Sequence, residues 1–189
     1  MSAPPHGPGH RGDLGDLAWV PALSRPDLLA GPVASALAAW PAGGEVLVAG
    51  IEESVADTAE LVRAHGVALE ACGNCVVVTG RRGEVERTAA CVVRASTRAD
   101  VNGYVRRALD ARKASFAPRE QAVAQTGMEF GGITPVGLPA GWLLLVDAAV
   151  AALPVVVVGS GVRRSKLALP GALLAQLPGA RVVEGLGLA

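Results

Sequence analysis

Three short segments of this chain carry residue types that could do chemistry. The first is Gly131-Gly132-Ile133-Thr134-Pro135, inside an aperiodic stretch from Gly127 to Pro139 that holds four glycines and two prolines. Glycines let a backbone approach a ligand closely and leave N–H groups to bind a carbonyl or an oxyanion, while Pro135 stiffens the turn. The second is Gly159-Ser160-Gly161-Val162-Arg163-Arg164, directly after a run of valines. Ser160 and the N–H groups there could donate hydrogen bonds, and Arg163 and Arg164 could reach a phosphate. As a dinucleotide loop it lacks the third glycine. The third is Cys72-Gly73-Asn74-Cys75. A thiol-redox pair sets its first cysteine at a helix N-terminus, yet here the second opens Val76-Val77-Val78, a strand signal. With Cys91 the cysteines number three, so they read as small buried residues and not as a disulfide framework. Zinc would need further ligands, but His6 and His10 lie in an N-terminal tail and His65 stands alone at the end of a helix. No Ser-His-Asp set is present.

The elements that must position these segments follow from periodicity. Leu28, Leu29, Val33, Leu37 and Trp40 recur at helical spacing, interrupted at Gly31-Pro32. Val46 to Ile51 reads as a strand. Asp57-Thr58 reads as the cap of a helix that Gly66 stops. Cys75 to Thr79 and Thr88 to Arg94 read as a β-hairpin across a Gly80-Arg81-Arg82-Gly83 turn. Asp100 caps a helix over 101–109, and Ala114 to Phe116 is a short strand. Pro118 opens a helix over Arg119 to Thr126. Leu143 to Val146, Val155 to Val158, Lys166 to Leu169 and Arg181 to Glu184 read as strands, with Asp147 and Pro170 opening short helices. The expected fold is an α/β (α+β) domain with a mixed, largely antiparallel central sheet and flanking helices. Residues 1–24 read as a flexible leader and 25–189 as a single domain.

The segment Gln125-Thr-Gly-Met-Glu-Phe-Gly-Gly-Ile-Thr-Pro-Val-Gly-Leu138 resembles the YbaK/EbsC/prolyl-tRNA editing family. That family has a helix ending in Thr-Gly, then Gly-Gly-Ile-Ser/Thr-Pro-Val/Leu-Gly, then an Asp after a hydrophobic run. Asp147 and Gly159-Ser160-Gly161 match further family features in order, and the resemblance spans about Asp57 to Glu184. It implies an aminoacyl-tRNA deacylase acting in trans. Such an enzyme hydrolyses the ester that joins a small wrong amino acid, such as Ala or Cys, to a tRNA, tRNA-Pro among them. The terminal ribose hydroxyl can assist a water, so no strong nucleophile need be present. The resemblance places the catalytic residues at Asn74, Gly132 and Thr134. Gly131, Ile133, Pro135, Gly159, Ser160 and Gly161 would form the substrate pocket, and Lys113, Arg163 and Arg164 would contact tRNA. It implies no cofactor and no metal. The partners are misacylated tRNA and, as a further candidate, an aminoacyl-tRNA synthetase. One departure stands out: a family lysine in the strand before the hairpin aligns with Asn74, which can donate a hydrogen bond but carries no charge. The alternative is therefore an inactive YbaK-like tRNA- or ligand-binding protein.

Composition narrows the setting. Hydrophobic residues make up 51% of the 189 and aromatics 3%, so the core must be built from Val, Leu and Ala. Lys plus Arg equals Asp plus Glu at 17 each, so RNA contact needs a local patch. The candidates are Arg81, Arg82, Arg106, Arg107, Arg112, Lys113, Arg163, Arg164 and Lys166. No apolar run approaches the ~20 residues of a membrane helix, and the first residues lack the apolar core of a signal peptide. The expected location is cytoplasmic.

Overall fold

In the computed structural model, residues 12–189 are described. Strand β1 (Val20–Pro21) and helix α1 (Gly31–Ala39) come first, followed by β2 (Leu47–Gly50) and α2 (Thr58–His65). The hairpin strands β3 (Gly73–Arg82) and β4 (Val85–Arg94) are next, then β5 (Arg98–Ala99). A wide helical turn, Val101–Val105, runs into the short α3 (Arg106–Ala108), β6 (Lys113–Phe116) and α4 (Arg119–Thr126). The chain closes with β7 (Leu143–Asp147), α5 (Ala148–Ala151), β8 (Val156–Gly159), β9 (Ser165–Leu169), β10 (Ala180–Val183) and β11 (Gly187–Leu188).

The mixed sheet has the order β10-β7-β4-β3-β6, with β7 parallel to both neighbours and the other pairs antiparallel. Beside it lies a second, wholly antiparallel sheet, β1-β2-β9-β8. Both faces of the mixed sheet are covered, which is why its central strands are near-continuous apolar runs. Ala90, Val92, Leu144 and Val146 face a core shared with α1 and with Val156, Val158, Leu167 and Leu169 of the second sheet. Ala89, Cys91, Val93 and Leu145 face Val105 and Leu109 on the opposite side. The two sheets touch where Cys72, just before β3, bridges Val157 of β8. A Cβ on Gly73 would lie 3.0 Å from the Val156 side chain, so glycine lets the strands close on each other.

Two sequence expectations change. The hairpin turn is Gly83-Glu84, not the tetrad from Gly80: Arg82 pairs with Val85, and Gly83 takes φ +60°. Gly80 sits inside β3, where a Cβ would lie 2.8 Å from that of Ala111, so its glycine serves packing and not turning. The segment expected to be a flexible leader is, from Gly12 on, attached to the fold. Leu14 bridges Val67, Asp16 meets His65 Nδ1 at 2.9 Å, and Val20 pairs with Val48. Residues 1–11, with His6 and His10, lie outside the described residues.

Asp147 caps α5 as its sequence position suggests, and it does more. Oδ1 accepts from the Ala149 N–H at 2.8 Å and Oδ2 from the Gly187 N–H at 2.7 Å, with the side chain nearly buried. It therefore ties the last strand to the end of β7 and does not line the cleft described below. Asp147→Ala removes a cap and takes the acceptor from two part-buried donors, the Ala149 and Gly187 N–H groups. The expected loss is about 2–3 kcal/mol, read by urea unfolding; an unchanged midpoint would refute this role.

Candidate functional site

A cleft of 610 Å³ opens at the seam between the two sheets. One wall is the start of α2, from Ala56 to Thr58 with Leu61. The floor is the first half of β3, Cys72 to Val77, with Val157 to Gly159 of β8. The far rim is Phe116, Ala117 and Arg119, and the roof is Phe130, Gly131 and Ile133.

The roof is fixed by backbone on backbone. Gly127, at φ +66°, ends α4 and releases the loop. The Gly161 N–H then donates to Gly132 O at 2.7 Å, and the Glu129 N–H donates to Gly161 O at 2.8 Å. The Gly132 N–H is spent on Glu129 O at 2.9 Å. Glu129 Oε2 accepts from the Arg163 N–H at 2.6 Å. This approach tolerates no side chain: a Cβ on Gly132 would lie 2.6 Å from Val162 O, and one on Gly159 would overlap Gly132 O. By contrast, the N–H groups of Gly131 and Ile133 have no acceptor among the described residues.

The sequence candidates therefore divide. Asn74, Gly131, Ile133 and Gly159 line the cleft, while Gly132 and Gly161 hold its roof. Thr134 is fully buried with no hydrogen-bond partner for its hydroxyl among the described residues, and Pro135 is buried beside it; neither lines the cleft. Ser160 is also fully buried. Its hydroxyl meets Ser165 Oγ at 2.7 Å, and Ser165 in turn donates to Leu28 O at 2.5 Å, so this pair anchors the turn to the N-terminal segment. Arg163 braces the rim by donating to Phe130 O and Glu53 O, and Arg164 donates to Asp27 O. Lys113 lies in a different, open groove with Arg81, Arg106 and Arg112.

Among the charged groups that line the cleft and that sequence reasoning did not assign to it, Lys166 is the buried one. It stands on β9, is 7% exposed, and its Nζ donates to Ala56 O at 2.5 Å. Burial lowers the pKa of this ammonium, opposed by the nearby Cys72 thiol and the Asp57 carboxylate. The available signal was a lone cation in Ser165-Lys166-Leu167-Ala168-Leu169, a strand buried at every position. Asp57 occupies the N-cap of α2, but its side chain makes no capping bond and lines the cleft instead. Thr58 Oγ1 donates to Asn74 Oδ1 at 3.2 Å.

Cysteine nucleophiles are not available near neutral pH. Burial pushes the Cys72 thiol up to about 11 and raises that of Cys75 further. Among the described residues, no cluster of three or more His, Cys, Asp or Glu side chains could hold a metal ion. No described helix is long and apolar enough to cross a membrane.

The family model of the aminoacyl-tRNA editing domain matches residues 52–177, which span every wall of the cleft. The chain belongs to this family. The editing domain is also similar in fold to a crystal structure of a candidate trans-editing enzyme for prolyl tRNA synthetase. The TM-score is 0.71 at 24% identity, over 85% of this chain and 97% of that one. A second similar structure is hypothetical protein APE2540, with a TM-score of 0.64 at 22% identity over 72% of this chain and 88% of that one. No curated protein matches.

Proposed function

We propose that this editing domain is an aminoacyl-tRNA deacylase acting in trans on a small misattached amino acid. The observation that carries the reading is a buried ammonium, Lys166, in the same cleft as Gly131 and Ile133, whose backbone N–H groups have no acceptor among the described residues. Ester hydrolysis needs donors aimed at the oxygen on which negative charge develops, in a site shielded from water. A water, assisted by the neighbouring ribose hydroxyl, adds to the ester carbonyl. The tetrahedral oxyanion is held by those donors. The C–O bond to the terminal ribose then breaks, and the ribose oxygen leaves with a proton, giving free amino acid and intact tRNA.

In this reading Lys166 supplies from β9 the charge that Asn74 does not supply from β3. Asn74 and Thr58 orient the substrate by hydrogen bonds, while Gly132 and Thr134 shape the roof without touching it. Arg163, which braces the rim through Phe130 O and Glu53 O, and Arg164 are the proposed contacts for tRNA phosphate. The name of the first similar structure and the family resemblance both support Ala- or Cys-tRNA-Pro as the first substrates to try. The presence of Asn74 favours one second reading, a binder that holds the aminoacyl end without cleaving it. A panel of misacylated tRNAs tests the proposal: at least one small aminoacyl ester should be lost faster than in buffer, and no acceleration on any of them would sink it.

A further inference from the structure

The chain has only two phenylalanines, and neither is in the core. Phe116 is 58% exposed and Phe130 47%, and both line the mouth of the cleft. They reach it from unrelated elements. Phe116 ends the edge strand β6, opposite Val78 of β3, and Phe130 immediately precedes the roof glycine Gly131. The small Ala117 and Ala122 line the same cleft. The Arg119 guanidinium lies 4.8 Å from the centroid of the Phe130 ring, so the mouth is both aromatic and cationic. In a chain this poor in aromatics, folding alone would bury these rings, since each can remove a large apolar area from water.

We infer that Phe116 and Phe130, with Arg119, form a stacking subsite for the 3′-terminal nucleobase of the tRNA. The inference rests on the deacylase reading. If the ester carbonyl lies against Gly131, Ile133 and Lys166, the base on the same ribose must lie within one nucleoside's reach of them, which is the mouth. Aromatic faces bind bases through their π-surfaces with little sequence preference, and a neighbouring arginine adds cation–π attraction and neutralises phosphate. The subsite recognises a nucleobase as a class and reads no hydrogen-bonding edge.

The test is a double-mutant cycle on the full chain. An uncharged RNA minihelix ending in CCA, and the same RNA lacking only its terminal base, are titrated against the native protein and against Phe116→Ala and Phe130→Ala. Both side chains are exposed, so folding should survive; equal melting temperatures check this. Removing the base should weaken binding to the native protein about tenfold, as should each Phe→Ala change. Removing the base should cost little more in the variants, because the partner is already gone. If base removal and the variants leave RNA affinity unchanged while the native protein still deacylates tRNA, the subsite is refuted and the enzyme reading stands. If the native protein neither binds nor hydrolyses any tRNA, both fall. Unchanged RNA binding with loss of a protein contact would reassign the rings to a protein partner and overturn the proposal.

Discussion

Replacing Lys166 with methionine is expected to lower kcat/KM for aminoacyl-tRNA hydrolysis by about 10²–10³-fold, the usual cost of losing one oxyanion donor. The melting temperature should change little. Methionine keeps most of the volume and removes a buried charge, which is often neutral or stabilising. Against that, Ala56 O loses the partner now at 2.5 Å, at a cost of about 1–3 kcal/mol. A rate collapse without unfolding separates a chemical role from a structural one.

Two further readouts follow from the charge. Because burial lowers the pKa of Lys166, the protein-dependent rate, after subtraction of spontaneous hydrolysis, should fall with rising pH before an exposed lysine would titrate. This limb should be absent from Lys166→Met. Asn74→Lys added to Lys166→Met should recover part of the rate, since Asn74 faces the same cleft. The same change in the native background should bring no gain, because it would set two ammonium groups in one cleft. If Lys166→Met keeps the native rate, the charge lies elsewhere.

Gly159→Ala is the second change expected to have a large effect. Its Cβ would overlap Gly132 O and lie 2.8 Å from Ile133 O, both of them backbone atoms of the roof. Neither can rotate away as a side chain would, so the loop must lift from β8 or the strand must shift. Overpacking of this kind costs about 1–3 kcal/mol. The Gly131 and Ile133 N–H groups would also move off their target, and misplacement of about 1 Å can cost roughly 10²-fold in rate. Gly44→Ala is the control, since a Cβ there meets nothing within 4 Å. Thermal unfolding and single-turnover deacylation read the two effects. A Gly159→Ala protein with native stability and rate would contradict the account of how the roof is set.

What could be read from the sequence was local. Gly66 and Gly127 announced helix ends and take φ +64° and +66° at them. The Asp147 cap and the valine-rich hairpin were legible for the same reason, because each depends on neighbours a few residues away. Gly80 was misread because a glycine in a turn and a glycine needed for close packing look alike until its contact with Ala111, on a distant segment, is known. The second bond of Asp147 runs to Gly187, and no local pattern contains it. Lys166 was hidden for the same reason. Its strand was legible, but its position in the cleft depends on β9 pairing with β2 and β8. The Gly131–Pro135 segment was legible as an aperiodic loop, yet which of its residues face the cleft was a matter of backbone direction. Gly131 and Ile133 line it, and Thr134 points into the protein.

The most direct test of the central claim is single-turnover decay of Ala-tRNA-Pro and Cys-tRNA-Pro with the protein in excess, measured against buffer and against Lys166→Met. A deacylase must speed the loss of the ester, whereas a binder that encloses the aminoacyl end leaves the loss at the buffer rate or slows it. The account predicts acceleration by the native protein that is largely abolished in Lys166→Met. Tight binding of either tRNA with decay at or below the buffer rate would contradict it.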